Sequence, residues 1–170
     1  MATATRSHMT LHPTKNDLPE RSRTALIEVL NQRLAEAIDL QLQGKQAHWN
    51  VKGPSFIALH ELFDKVVDHA SEAADLIAER VVQLGGIAEG TIRSVAQASD
   101  LEAYPLDIAT GPDHVAALSG ALAAFGSRVR EAIDETAKLG DAGTADIFTE
   151  ISRGTDKLLW FVEAHAQAES

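Results

Sequence analysis

The stretch SFIALHELFDKVVDHASEAADLIAERVVQLGG, residues 55–86, decides how the chain is read. At about 100° per residue its large apolar side chains Leu62, Phe63, Val66, Ala70, Ala73, Ala74 and Ile77 fall in one arc, so the spacing predicts a long helix with one core-facing side. Gly53 and Pro54 break whatever precedes it, Ser55 stands in position to cap it, and Gly85-Gly86 should end it. A second arc of the same helix carries His60, Asp64, Ser71, Asp75 and Ala78, with Glu79 at its edge. Ligand-type side chains alternate there with small ones.

His60 and Asp64 are one turn apart, as are Asp75 and Glu79, so each pair points its heteroatoms at a single place. The two pairs lie about 22 Å apart along the axis at 1.5 Å per residue, whereas metal–ligand bonds are only ~2 Å long. One helix therefore cannot close a site with both. A second copy running antiparallel across a two-fold axis removes the difficulty, because both combinations share one midpoint, between His69 and Ala70. His60 would then face the partner's Glu79 and Asp64 the partner's Asp75, in two equivalent sites. Ser71 near the crossing is small enough for close approach.

Upstream, from about Leu18 with Pro19 suited to a first turn, Ile27, Leu30, Leu34, Ile38, Gln41, Lys45 and His48 recur at helical steps as far as the NVKGP break. His48 is thus expected beside the start of the next helix, completing a set of two imidazoles and three carboxylates: His48, His60, Asp64, Asp75 and Glu79. Downstream, residues 87–112 form a looser stretch with room for one short helix, long enough to cross the length of a bundle. Helices over about Pro112 to Gly140 and Thr144 to Ala166 complete the pattern. The expectation is an all-α, ferritin-like four-helix bundle at 18–170 with a long second-to-third crossover, preceded by a polar, non-periodic tail at 1–17 expected to be mobile.

The 170 residues carry a formal net charge of -10 and no cysteine. Disulfide frameworks, thiolate zinc sites and cysteine nucleophiles are excluded, and neutral imidazole with hard carboxylate oxygen suits Fe(II), with Mn or Zn as imitators. The acidic balance works against the body of the protein as a nucleic-acid binder. No apolar run approaches the ~18 residues of a membrane span, and no secretory h-region is visible, so a cytoplasmic location is expected. A single helical histidine or acid pair is ordinarily packed or solvated; the shared midpoint together with His48 is what singles out these five residues. Glu61, Asp68, His69 and Glu72 fall outside the arc and are given no metal role. No His has Glu three residues before it, which disfavours a di-iron centre within one subunit. No nucleophile elbow, phosphate loop or dinucleotide fingerprint occurs.

The stretches KQAHWNVKGPSFIALHELFD (45–64), AADLIAERVVQLGG (73–86) and DKLLWFVEAH (156–165) resemble the Dps family, the mini-ferritins called DNA-binding proteins from starved cells. The resemblance covers nearly everything after residue 17. It implies that His48, His60, Asp64, Asp75 and Glu79 form inter-subunit ferroxidase sites, and that Trp49 is a site-adjacent tryptophan intercepting stray one-electron oxidants, the alternative being a core aromatic. Trp160 reads as core. The resemblance further implies a hollow homo-dodecamer with two-fold interfaces that takes iron as substrate, oxidises Fe(II) with hydrogen peroxide or dioxygen, and stores the ferric product, without an organic cofactor. Pores lined by acids near the junction of the last two helices are implied as well, where the chain offers Asp134, Glu135, Asp141 and Asp146. Some family members instead coat DNA through basic tails; here Arg6 and Lys15 are the candidate contacts, with His8 and His12 charging only at lower pH.

Overall fold

A computed structural model describes residues 11–167. Among them are five helices, α1 (Glu20–Asn50), α2 (Phe56–Gln83), α3 (Ile92–Ala98), α4 (Gly111–Lys138) and α5 (Ala142–Glu163), and no strand beyond one isolated bridge. The four long helices form the expected ferritin-like bundle, with α3 as the short helix of the crossover. α1 with α2 and α4 with α5 are the two closest pairs, and contacts of α1 with α4 and of α2 with α5 join them. Leu62, Phe63, Val66, Ala70, Ala73 and Ile77 of α2 are buried, as the apolar arc requires, against Leu26, Leu30, Leu34 and Leu40 of α1, Phe125 of α4 and Phe148 of α5.

The ends of the helices explain their lengths. α2 stops in a Schellman turn: Gly85 N–H donates to Val82 O and Gly86 N–H to Val81 O, with Gly85 at φ +89°. α4 repeats the device, with Gly140 at φ +88° and Asp141 N–H reaching Thr136 O. A side chain at either position would be forced into left-handed backbone, so glycine terminates both helices at low cost. Two starts differ from expectation. Pro19 occupies the cap position of α1 rather than its first turn, and Ser55 caps α2 by position alone, its hydroxyl making no capping bond.

The crossover is tied to the bundle by polar contacts. Asn31 donates to Ile87 O (3.0 Å) and accepts from Glu89 N (3.1 Å); Gln32 donates to Ala98 O (2.6 Å) and Gln43 to Glu102 O (3.0 Å). Glu36, fully buried in α1, is paired with Arg33 (2.7 Å) and with Arg128 of α4 (2.9 Å), whose other nitrogen holds Asp100 O. A buried carboxylate with two guanidiniums is stable only as a set, so this triad fixes the height at which the crossover passes α1 and α4. At the opposite end of the crossover, Lys52 N–H donates to Ala109 O and Gly111 N–H to Lys52 O, fastening the α1–α2 loop to the start of α4. Residues 11–18 lie beside the end of α2, where His12 N–H donates to Gly85 O (2.8 Å) and Arg23 donates to Leu84 O (2.9 Å).

Candidate metal centre

The α1–α2 loop is short, so the last turn of α1 and the first turns of α2 stand side by side. His48 and His60 meet there with their rings stacked, centroids 3.6 Å apart and planes 22° from parallel. Each ring bonds the other residue's backbone: His48 Nδ1 lies 2.8 Å from His60 O, and His60 Nδ1 lies 2.9 Å from His48 O. A carbonyl can only accept, so both Nδ1 atoms carry hydrogen, and in the neutral rings both Nε2 lone pairs are left free for a metal. The exchange also satisfies the carbonyl of His48, one of those that a helix C-terminus leaves without an intrahelical donor.

Asp64, one turn further along α2, brings its carboxylate within 3.4 Å of His48 Nδ1. Its principal partner is Lys45 Nζ at 2.5 Å, on the same face of α1 as His48. The hydrogen bond from Lys45 is the largest influence on Asp64 and holds its pKa below the ordinary 3.8 against partial desolvation. Lys45 was not expected in the site. Its place three residues before His48, on the same periodic face, is the signal that could have found it.

Asp75 and Glu79 are exposed on the far half of α2 and are not brought to the histidines of their own chain. Asp75 borders a shallow depression of roughly 460 Å³ with Leu34, Ile38, Ser71 and Ala78, and Glu79 borders an adjoining one with Val82. Among the described residues of one chain, no three histidine or acidic side chains are arranged to hold a metal ion. The structure thus joins His48, His60 and Asp64 in one half-set and leaves Asp75 and Glu79 as another.

Neighbouring residues sharpen or correct the sequence reading. Trp49 is 68% exposed, so it is not a core aromatic of its own subunit. Trp160, expected in the core, is 61% exposed. It lies two residues from both Leu158 and Val162, which face inward, and two residues turn a helix by about 200°. Asp141, offered as a pore acid, is buried: it caps α5 through Gly143 and Thr144 N–H, accepts from the Thr144 hydroxyl and takes both oxygens to Arg80 Nη2 (2.9 and 2.8 Å). Asp134, Glu135 and Asp146 remain exposed. Lys15 is exposed, while Arg6 and His8 lie outside the described residues.

The model of the ferritin-like domain matches residues 27–169. A DNA protection during starvation protein of Agrobacterium fabrum is 50% identical over 162 residues, spanning 95% of this chain and all of that one. This chain belongs to the Dps family. Solved Dps structures superimpose closely: DpsA14 from Streptomyces coelicolor has a TM-score of 0.88 at 34% identity over 94% of both chains. A Dps from Microbacterium arborescens, solved in a high iron form, has a TM-score of 0.82 at 35% identity, covering 91% of this chain and 98% of that one. The Dps bundle is therefore the frame on which the two half-sets are carried.

Proposed function

We propose that this Dps chain oxidises Fe(II) at sites shared between two subunits and stores the ferric product inside a hollow dodecameric shell. The observation that carries the reading is the division of side chains along α2: His60 and Asp64, joined by His48 of α1, gather at one end, Asp75 and Glu79 stand at the other, and the pairs His60–Glu79 and Asp64–Asp75 share a midpoint. An antiparallel second copy of α2 completes both sites at once. Free Nε2 atoms and carboxylate oxygens without sulfur suit Fe(II), and open positions admit the oxidant. In the proposed reaction two Fe(II) ions each give one electron to hydrogen peroxide, the O–O bond breaks, and two protons complete two waters. Dioxygen serves as a slower oxidant. The carboxylates favour Fe(III), which passes to an acidic interior, and removal of Fe(II) from peroxide protects DNA in the cytoplasm. That solved relative in a high iron form supports iron as the substrate.

Mixing two inactive variants tests the shared site. His60→Ala, Asp64→Ala subunits and Asp75→Ala, Glu79→Ala subunits each oxidise no Fe(II) alone, but co-assembled at equal ratio they regain roughly a quarter of wild-type activity, because half the dimers are mixed and each mixed dimer holds one intact site. Activity of either variant alone, or no recovery in verified mixed shells, overturns the assignment. Direct DNA contact is a separate reading, favoured by the exposed Lys15 and by Arg6 before it. A gel shift at low and moderate salt that disappears on deleting residues 1–17 supports it; binding that survives the deletion rules this contact out.

A further inference from the structure

Behind the last turn of α1 lies a further histidine, His114, that the reaction above does not use. Tyr104, in the crossover, is half-buried, and its hydroxyl sits 2.8 Å from Nδ1 of His114 in α4; the two rings are 18° from parallel with centroids 6.0 Å apart. His114 is 1% exposed, and its Nε2 has no partner in hydrogen-bonding geometry. Burial holds this imidazole below its ordinary pKa, outweighing Asp113 and the backbone of Asn50, which favour the protonated ring. Desolvation likewise raises the phenol of Tyr104 well above its usual value. Both groups are therefore neutral at rest, and in the tautomer that carries its hydrogen on Nε2 the phenol donates to His114 Nδ1.

The place of the pair is as informative as its chemistry. Asn50, whose backbone acts on His114, follows Trp49 and stands two residues after His48. A continuous run of α1 thus joins the candidate iron ligands to His114 and Tyr104. When a single Fe(II) reduces peroxide, the O–O bond breaks to hydroxide and a hydroxyl radical, an oxidant that attacks the protein indiscriminately. A phenol supplies one electron readily only if its proton leaves with it, because an oxidised phenol is a strong acid and a buried cation is costly. In that tautomer His114 Nδ1, 2.8 Å away, is the base that receives that proton.

We propose that Tyr104 and His114 form a proton-coupled one-electron sink for oxidants of the hydroxyl-radical class produced at the iron site. Tyr104 gives one electron, by way of Trp49, to the hydroxyl radical, which becomes hydroxide. The phenolic proton passes to His114 Nδ1, leaving a neutral tyrosyl radical beside an imidazolium. This rests on the iron-oxidising reading of the site, and its test is separable from that reading.

Tyr104 is the chain's single tyrosine, so a tyrosyl spectrum has one source. Assembled protein loaded with Fe(II) and freeze-quenched with sub-stoichiometric peroxide should show a tyrosyl electron-paramagnetic-resonance signal. Tyr104→Phe, which keeps the ring and its packing, should lose that signal and accumulate oxidised tryptophan instead. A second arm uses iron-free protein and azide radical, which oxidises the exposed tryptophans. Tryptophan radical should convert to tyrosyl radical with a solvent deuterium isotope effect, and His114→Gln should slow that conversion several-fold. No tyrosyl signal in wild type in either arm, or conversion unaffected by both deuterium and His114→Gln, overturns the proposal. A signal without iron but none with Fe(II) and peroxide overturns its link to the iron site. Failure of wild type to form Fe(III) sinks the ferroxidase reading, and the iron-free arm still decides whether Tyr104 and His114 act as a pair.

Discussion

Lys45 holds Asp64 with a charge that an arriving Fe(II) would have to displace. Its ammonium lies 2.5 Å from the carboxylate oxygen, with the two side chains 33% and 42% exposed, so the pair is solvated enough to open. We expect Lys45→Gln to tighten Fe(II) binding several-fold in anaerobic calorimetry; weaker binding would mean that the ammonium serves instead to order Asp64. The pH dependence has a defined sign. Folding lowers the Asp64 pKa below 3.8, so whatever the ion pair contributes is present above that value and is lost as pH falls through the lowered one. The two histidines were legible as candidate ligands because their residue type and spacing are local facts. Which nitrogen each one offers was not, since it depends on carbonyls twelve positions away in sequence.

At the scale of elements, the turn between α4 and α5 is organised by one carboxylate. Asp141 caps α5 and binds Arg80 near the end of α2, so its side chain couples those two helices, while its backbone N–H reaches Thr136 O in α4. Burial pushes its pKa up, but the bonds from Thr144 and Arg80 together prevail and hold it below 3.8. Asp141→Ala removes the cap and strands a largely buried guanidinium; we expect a loss of about 3 kcal/mol in denaturant unfolding. Asp141→Asn keeps the cap and should lose clearly less. Equal losses would place the stabilisation in the ion pair alone. The stability tied to this carboxylate should be intact above its unfolded pKa and disappear as pH drops through the folded one. Helix spans were legible because period and glycine punctuation are written locally; the burial of Asp141 was not, because Arg80 reaches it from another element.

For the whole molecule, the consequence lies on the outer face of α2. Ser71, exposed near the proposed crossing, borders the same depression as Asp75. A large cation there would meet its own copy across the axis, so Ser71→Arg should dissociate the two-fold contact and abolish Fe(II) oxidation together, while circular dichroism stays helical. Mass photometry reads the first effect and Fe(III) absorbance the second. An intact, fully active assembly would mean that the subunits do not cross at this point.

Sequence alone determined the helices, the core side of α2 and the two turns of histidine and carboxylate side chains on its outer side, because all three follow from spacing along a continuous helix. Tertiary structure alone decided that Lys45 reaches Asp64, that His48 and His60 exchange hydrogen bonds, that Trp160 turns outward and that Tyr104 finds His114. Each of these depends on the height and rotation at which one helix passes another, which packing of the whole core fixes and no local period encodes.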